Sequence, residues 1–362
     1  MRFVYFTHSI ISDWNHGNAH FLRGVVTELL ERGHAVEVWE PRSSWSRANL
    51  VRDHGEAPLG AFRSAFPALS PHIYDIETVD VDELVDGADV VIVHEWNDPW
   101  LVAAAGRARR AGRFRLFFHD THHRMRTAPE QMARYDLSEY DGVLAYGRCL
   151  AELYGDRAWT WHEAADTRLF KPVPPVEPRR DLVWVGNWGD GERTVELYEF
   201  LLGPARDLEL GGSVFGVRYP DRAKRAVVGA GLRYRGWVAN HRVPHVFAQH
   251  RVTVHVPRRP YREALPGIPT IRPFEALACG IPLVTAPWED TEGLFAPGAD
   301  FLVAANGAEM TTHLRDLLGD PELARSLAEH GLATIHARHT CGHRVQELLE
   351  ICRTVGVRAV AA

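Results

Sequence analysis

The sequence predicts an α/β protein of two Rossmann-like, doubly wound domains facing each other across a cleft, and three observations carry that prediction. Short β-rich runs alternate with segments of helical period along all 362 residues, the pattern of βαβ units on parallel sheets. The strand runs are almost continuously apolar, as in VVIVH at Val90–His94, which suits sheets covered on both faces. The series breaks once, at Lys171–Arg180 (KPVPPVEPRR), where four prolines fall in ten residues and no helix continues. A chain of this length exceeds one compact core and accommodates two. The first domain is therefore read as residues 1–172, the linker as 173–180, the second domain as 181–335, and 336–362 as a C-terminal helix crossing back toward the first domain.

In the first domain, strands are expected at Phe3–Phe6, Ala35–Trp39, Val90–His94, Arg115–Phe118, Val143–Ala145 and Ala158–Trp161. Between the first two, Gly17–Glu31 sets Phe21, Val25, Leu29 and Leu30 at helical spacing, and Gly33 is a natural stop. In the second domain, strands are expected at Leu182–Val185, Leu208–Leu210, Leu232–Arg235, Val252–Val256, Pro282–Thr285 and Phe301–Val303. Helices are expected near Thr194–Leu202, Val243–Gln249, Pro273–Cys279 and Ala308–Leu318, with two or three more from Pro321 to Val355.

Composition narrows the class. With 46% hydrophobic and 24% charged residues the chain has the makeup of a globular protein with a large interior. A formal net charge of −6 argues against a protein that lives on the phosphate backbone of nucleic acid. Cys149, Cys279, Cys341 and Cys352 are scattered without CxxC spacing, which points to reduced thiols. MRFVYFTHS runs straight into a strand without signal-peptide character, and no apolar run approaches the roughly 18 residues of a membrane span. The expectation is a cytoplasmic protein with no transmembrane segment.

Chemistry-bearing residues gather where strands end. In Thr270–Val284, Pro273 is placed as the first helical residue and Gly280 just past the end. A helix start offers unpaired N–H groups and a positive dipole end, both suited to a diphosphate. Glu275, in the expected first turn, is placed to accept from the two hydroxyls of a ribose, and Arg258, Arg259, Arg262 and Arg272 concentrate positive charge before it. The plain alternative is a glutamate complementing the dipole beside a solvated arginine loop. A second loop, Gly186–Gly191 with Asn187, Trp188 and Gly189, lies between a strand and a helix and allows close backbone approach to a phosphate. It is not G-x-G-x-x-G in register, so a dinucleotide site is not expected. Arg193 follows it, placed either to meet a phosphate or to be solvated.

In the first domain, Ser9–His20 offers Asp13, His16 and Asn18 after the first strand, and Phe118–Arg124 offers His119 and Asp120. His94 and Glu95 close a third strand. The histidines of this cluster lack the ligand spacing of a metal centre, and no metal is expected.

These segments, in this order, resemble the GT-B glycosyltransferases of the glycosyl transferases group 1 superfamily. Thr270–Val284 resembles their donor-binding helix, roughly E-A-x-A-x-G-x-P-V-V. Trp161–Pro172 (WHEAADTRLFKP) resembles the interdomain motif P-N-G-V-D-x-x-x-F-x-P, with Asp166, Phe170 and Pro172 in register. Leu182–Gly189 is similar to the opening strand and glycine turn of the donor domain, and Arg235-Gly236-Trp237 to the strand end before the nucleotide-binding loop. Glu289–Phe301 and Ala337–Leu349 resemble the CgeB-like, spore-maturation branch.

The resemblance implies a hexosyltransferase that holds no permanent cofactor and takes a nucleotide-diphosphate sugar (UDP-, GDP- or TDP-sugar) as donor. A small-molecule or glycan hydroxyl would be the acceptor. Donor contacts would come from Glu275, Arg272, Thr270, Ile271, Gly267, Arg258, Asn187, Trp188, Gly189 and Arg193. His119, Asp120, Asp13 and His16 would act as base or as partners of the transferred sugar. Retention is slightly favoured, since the departing phosphate can take the proton. One departure stands out: many retaining members carry two glutamates eight apart, and Gly267 occupies the first position. Backbone at Gly267–Thr270, or Glu263 from a shifted loop, would replace it. A non-catalytic nucleotide-sugar binder, a nucleotide-sugar 2-epimerase and a DNA-base glucosyltransferase are the alternatives, the last opposed by the negative charge.

Overall fold

The computed structural model describes residues 1–357 and divides into two compact units. One comprises Met1–Glu163 with the segment from Cys341 onward; the other is Ala164–Thr340. The division precedes the proline-rich stretch, which lies within the second unit. Each unit is a parallel, doubly wound sheet, as the sequence predicts.

The first unit holds β1 (Arg2–Phe6), β2 (Ala35–Pro41), β3 (His72–Tyr74), β4 (Val90–His94), β5 (Arg115–Asp120), β6 (Gly142–Ala145) and β7 (Ala158–Thr160). Their order across the sheet is β3-β2-β1-β4-β5-β6-β7, with every pairing parallel. Phe3 pairs with Val36 on one side and Val90 on the other, so the strand order reverses at β1 and the crevice of the sheet opens at the carboxyl ends of β1 and β4. Phe3, Val4, Phe6, Val90, Val91, Ile92 and Val93 are fully buried, the consequence of helices on both faces. The helix Ala19–Glu31 keeps Phe21, Leu22, Val25 and Leu29 inside, and Cys341–Thr354 packs against it. Asp98 caps Pro99–Ala111 by accepting from the Trp100 N–H, with proline where no N–H is needed.

One strand is added to those expected in this unit, and the extent of another is corrected. The edge strand β3 carries too short a run (HIY) to stand out by periodicity. β5 continues through His119 and Asp120, which were placed in the following loop; their pairing with Leu144 and Ala145 of β6 keeps them in the sheet.

The second unit holds β8 (Arg180–Val185), β9 (Gly212–Phe215), β10 (Leu232–Gly236), β11 (His250–His255), β12 (Leu283–Thr285) and β13 (Leu302–Val303). The order is β10-β9-β8-β11-β12-β13, again all parallel, with the reversal between β8 and β11. Its core centres on Leu182, Trp184, Leu197, Val214, Val252, Val254, Val284 and Leu314.

Leu208–Leu210, expected as a strand, is the turn that ends the preceding helix. Glu209 takes φ 54° and the Leu210 N–H returns to the Ala205 carbonyl, so the two leucines finish a helix and the strand starts at Gly212. That helix runs from Thr194 to Asp207 with a π-helical turn at Tyr198–Leu202. The widened turn stands directly before Pro204, whose ring would otherwise meet the carbonyl one turn back. The helix expected from Pro273 spans Ile271–Ala278, so Pro273 is its third residue and Glu275 its fifth, not first and in the first turn. Proline is tolerated there because the opening N–H groups have no partners within the helix. Gly280 does stand past the end, at φ 64°, and the Ile281 N–H closes the helix on the Ala276 carbonyl.

Candidate functional site

In the second unit, the crevice at β8 and β11 is built around guanidinium groups. The loop after β8 delivers Asn187, and the loop after β11 delivers Arg258. Arg193 spans the two: it donates to the Asn187 side-chain oxygen at 2.6 Å, the Asn187 carbonyl at 2.8 Å and the Val256 carbonyl at 3.0 Å. Gly189 makes this approach possible, because it adopts φ 86° and a Cβ there would lie 2.6 Å from Arg193 Cγ. Arg258 donates to Asn187 Oδ1 at 3.2 Å and to Glu192 Oε2 at 3.0 Å. Among the described residues no carboxylate forms an ion pair with Arg193, and its Nε lies out of reach of solvent without a partner.

Arg272, from the first turn of Ile271–Ala278, is ion-paired with Glu275. Glu275 is fully buried and also accepts from Asn240 Nδ2 at 2.7 Å. His255, closing β11, pairs through Nε2 with Thr270 Oγ1 at 3.1 Å and through Nδ1 with Thr285 Oγ1 at 2.9 Å. No side chain caps the N-terminus of the Ile271 helix, because the Thr270 hydroxyl is turned to His255. Ile271 is buried as its first residue.

The electrostatics follow from this gathering of like charges. Burial first, then Arg258 and Arg272, push the Arg193 guanidinium down to about 9. Burial, with Arg193 and Arg272 beside it, pushes His255 down to about 3, so it is a neutral ring at neutral pH. Three guanidiniums share two carboxylates, Glu192 and Glu275. A cation held by neutral oxygens in a part-buried place is costly unless an anion completes it, and a crevice of this kind beside an uncapped helix start accepts one.

Other predicted donor residues have different surroundings. Trp188 is buried in the core against Tyr198 and Tyr219. Gly267, at φ 87°, sits against Thr291 and Glu292, where a Cβ would come within 2.4 Å of Thr291 Oγ1. Glu263 is exposed and ion-paired with its neighbour Arg262. Arg259 pairs with Glu196 on the helix that begins at Thr194.

In the first unit, the crevice at β1 and β4 is lined by imidazoles. His8 follows β1, His94 ends β4 and His119 lies in β5, with His16 from the loop after β1. Ring centroids are 5.5 Å apart for His8 and His16, 6.0 Å for His16 and His94, and 5.3 Å for His94 and His119. Burial pushes His8 down to about 4 and His119 to about 3, and holds His16 and His94 well below the usual range. His119 is fully buried, against Phe21 and Trp161, and neither ring nitrogen has a hydrogen-bond partner. His16 Nε2 likewise has none.

Asp13 is ion-paired at 2.9 Å with Arg23, both nearly buried. The same guanidinium donates to the carbonyls of Ile10 and Ile11, which pins the loop after β1. Asp120 accepts from Tyr154 OH at 2.6 Å and from the His122 N–H at 3.1 Å. Its neighbour Glu95 is ion-paired with Arg124, which lies over the Trp96 ring at 4.0 Å. Burial pushes both carboxyls up, Glu95 further because the Asp120 charge lies beside it. Among the described residues no group of three His, Cys, Asp or Glu side chains is arranged to hold a metal ion, and no helix is long and apolar enough to cross a membrane.

Sequence reasoning passed over His255, Asn240, Glu192 and Tyr154. His255 had a signal, since it closes β11 as His94 closes β4. Asn240 had one through the resemblance, since it follows Arg235-Gly236-Trp237 in the loop likened to a nucleotide-binding one, where it opens a short 3₁₀ turn.

Residues 193–350 match the family model described as "Glycosyl transferase-like". That stretch is similar to the glycosyl transferase-like family. It begins at Arg193 and contains Arg258, Arg272, Glu275 and Asn240. No curated protein sequence matches the chain significantly. Among solved structures, a glycosyltransferase from Rickettsia africae is similar at 10% identity and TM-score 0.68, with 98% of each chain covered. Anabaena Alr3699/HepE, solved with UDP and glucose, is similar at 12% identity and TM-score 0.67, covering 98% of this chain and all of that one. An α-glucosyltransferase solved with UDP and a 13-mer DNA is similar at 10% identity and TM-score 0.70, over 98% and 100% of the two chains. The fold is therefore GT-B, and Arg193, Arg258 and Arg272 of the crevice lie within the matched stretch.

Proposed function

We propose that the protein is a hexosyltransferase that moves a sugar from a nucleotide-diphosphate donor to an acceptor hydroxyl, in the CgeB-like branch of the group 1 enzymes. The observation that carries the reading is Arg193, held in place by neutral oxygens, flanked by Arg258 and Arg272, and lacking a carboxylate of its own. A diphosphate completes this charge set. Its development of negative charge as the sugar departs is what such preorganised donors stabilise. Guanidiniums and an uncapped helix start meet the diphosphate here, so the transfer is read as metal-independent. Glu275 is assigned to the ribose hydroxyls.

On the acceptor side, retention is favoured. Asp13 is engaged by Arg23, Asp120 by Tyr154, and His119 is enclosed by aromatic rings, so none presents a free base, and the leaving phosphate is left to take the acceptor proton. UDP is the first nucleotide to test, because it is the one bound in the similar structures.

The test is a thermal-shift panel of UDP-, GDP-, ADP- and TDP-sugars at millimolar concentration, followed by transfer assays with glycan acceptors and with hydroxylated-base DNA. One donor is expected to raise Tm in the native protein and not in Arg193→Gln. Absence of any shift sinks the reading, and transfer to DNA alone moves it to a DNA-base glucosyltransferase.

A further inference from the structure

Glu275 is a fifth-position helix residue with a carboxylate removed from solvent, and two side chains from different parts of the unit approach it. Arg272 approaches one oxygen from the same helix, three residues earlier. Asn240 approaches the other at 2.7 Å from the short turn after β10. Asn240 is itself buried. These two contacts differ in kind. Arg272 is a member of the cation set around Arg193 and answers to any diphosphate that enters. Asn240 carries no charge, so its amide contact with Glu275 is indifferent to the diphosphate.

We infer that Asn240 is a positioning residue for nucleotide recognition: its amide fixes the Glu275 carboxylate plane so that the site distinguishes a ribose from a 2′-deoxyribose. The inference rests on the assignment of Glu275 to the ribose. A hydrogen bond to a charged acceptor is worth more than a neutral one only when its geometry is held. A carboxylate free to rotate between Arg272 and a ligand loses that geometry first toward the ligand, the neutral partner. Asn240 is the contact that prevents this rotation when Arg272 turns to the diphosphate. The turn after β10 thereby contributes to donor specificity while lying outside the arginine crevice.

The experiment compares binding of UDP with 2′-deoxy-UDP, and of GDP with 2′-deoxy-GDP, by calorimetry on the full-length protein, Asn240→Ala, Asn240→Gln and Glu275→Gln. The native protein is expected to prefer the ribonucleotide by about tenfold, the scale of one charge-assisted hydrogen bond. In Asn240→Ala that ratio is expected to fall toward one, because the ribonucleotide loses more than the 2′-deoxynucleotide, which meets Glu275 through its 3′-hydroxyl alone. Asn240→Gln, which keeps an amide donor, recovers part of the ratio. A merely structural role for Asn240 would weaken both nucleotides equally and lower Tm, and that result overturns the inference. If Glu275→Gln loses the ratio and Asn240→Ala keeps it, the ribose assignment stands and the role of Asn240 falls. If the native protein shows no preference, or binds neither pair, the ribose assignment itself falls, and the inference with it.

Discussion

His119 has both ring nitrogens enclosed by Phe21, Trp161 and His94 without a hydrogen-bond partner, and an unpaired buried polar group destabilises the fold that contains it. His119→Leu, similar in volume, is expected to raise stability at pH 7 by about 1 kcal/mol, which urea unfolding checks. The same ring sets a pH dependence. Its folded-state pKa, about 3, lies below the ordinary value of 6.5, so between those limits the unfolded chain binds a proton that the folded chain refuses. Stability is therefore lost as pH falls from about 6.5 toward 3, and His8 and His255, at about 4 and about 3, act in the same direction. Glu95 and Asp120, with raised values, oppose it, gaining stability as pH falls, but they are fewer than the buried histidines. Net, Tm is expected to drop between pH 6.5 and 4.5. In His119→Leu the slope should lessen by about one proton, roughly 1.4 kcal/mol per pH unit, and an unchanged slope would contradict the neutral, buried state of the ring. The sequence marked His119 as chemistry-bearing because it ends an apolar run. That it faces inward depends on where β5 stops, and its pairing with β6 decides that, not its own residues.

At the scale of elements, the strands with β-branched and aromatic runs were legible one by one, because period and composition agree there. The exceptions are instructive. Leu208–Leu210 alternates like a strand, yet a left-handed Glu209 makes it a helix end, and nothing local announces a positive φ at a glutamate. The start of the Ile271 helix was misplaced by trusting Pro273 as its first residue, when proline is equally free of penalty at the third. The two loops of the arginine crevice depend on a contact that the sequence does not display. Gly216, at φ 150°, brings the exit of β9 against the exit of β8, where a Cβ would lie 2.0 Å from the Gly186 carbonyl oxygen. That obstacle is backbone and cannot step aside. Gly216→Ala is therefore expected to cost about 3 kcal/mol of stability and to displace the Gly186–Gly191 loop that carries Asn187. Nucleotide binding should weaken more than tenfold in the folded fraction, which calorimetry read beside circular dichroism separates from simple unfolding.

At the scale of the molecule, the chain builds its first unit from both ends and its second from one continuous stretch. The tail was legible as helical from its spacing. Its membership of the first unit rests on contacts with residues more than 150 positions away in sequence, such as Trp161 Nε1 donating to the Arg344 carbonyl at 2.8 Å. Val345, Leu348, Leu349 and Ile351 of the helix Cys341–Thr354 are buried. At about 1.5–3 kcal/mol each, their removal is on the order of 6–12 kcal/mol, as large as the whole stability of an ordinary domain. Ending the chain at Thr340 is thus expected to unfold the first unit and leave the second folded. Arg193, Arg258, Arg272, Glu275 and Asn240 all lie in that second unit, so residues 164–340 alone are expected to fold cooperatively and to keep the nucleotide-dependent rise in Tm, while transfer is lost. Calorimetry of the full chain should then give two transitions, of which only the one shared with the excised piece moves with nucleotide. If the excised piece folds and the nucleotide shift vanishes, the donor site is not contained in the glycosyl transferase-like stretch, and the arginine crevice needs another ligand.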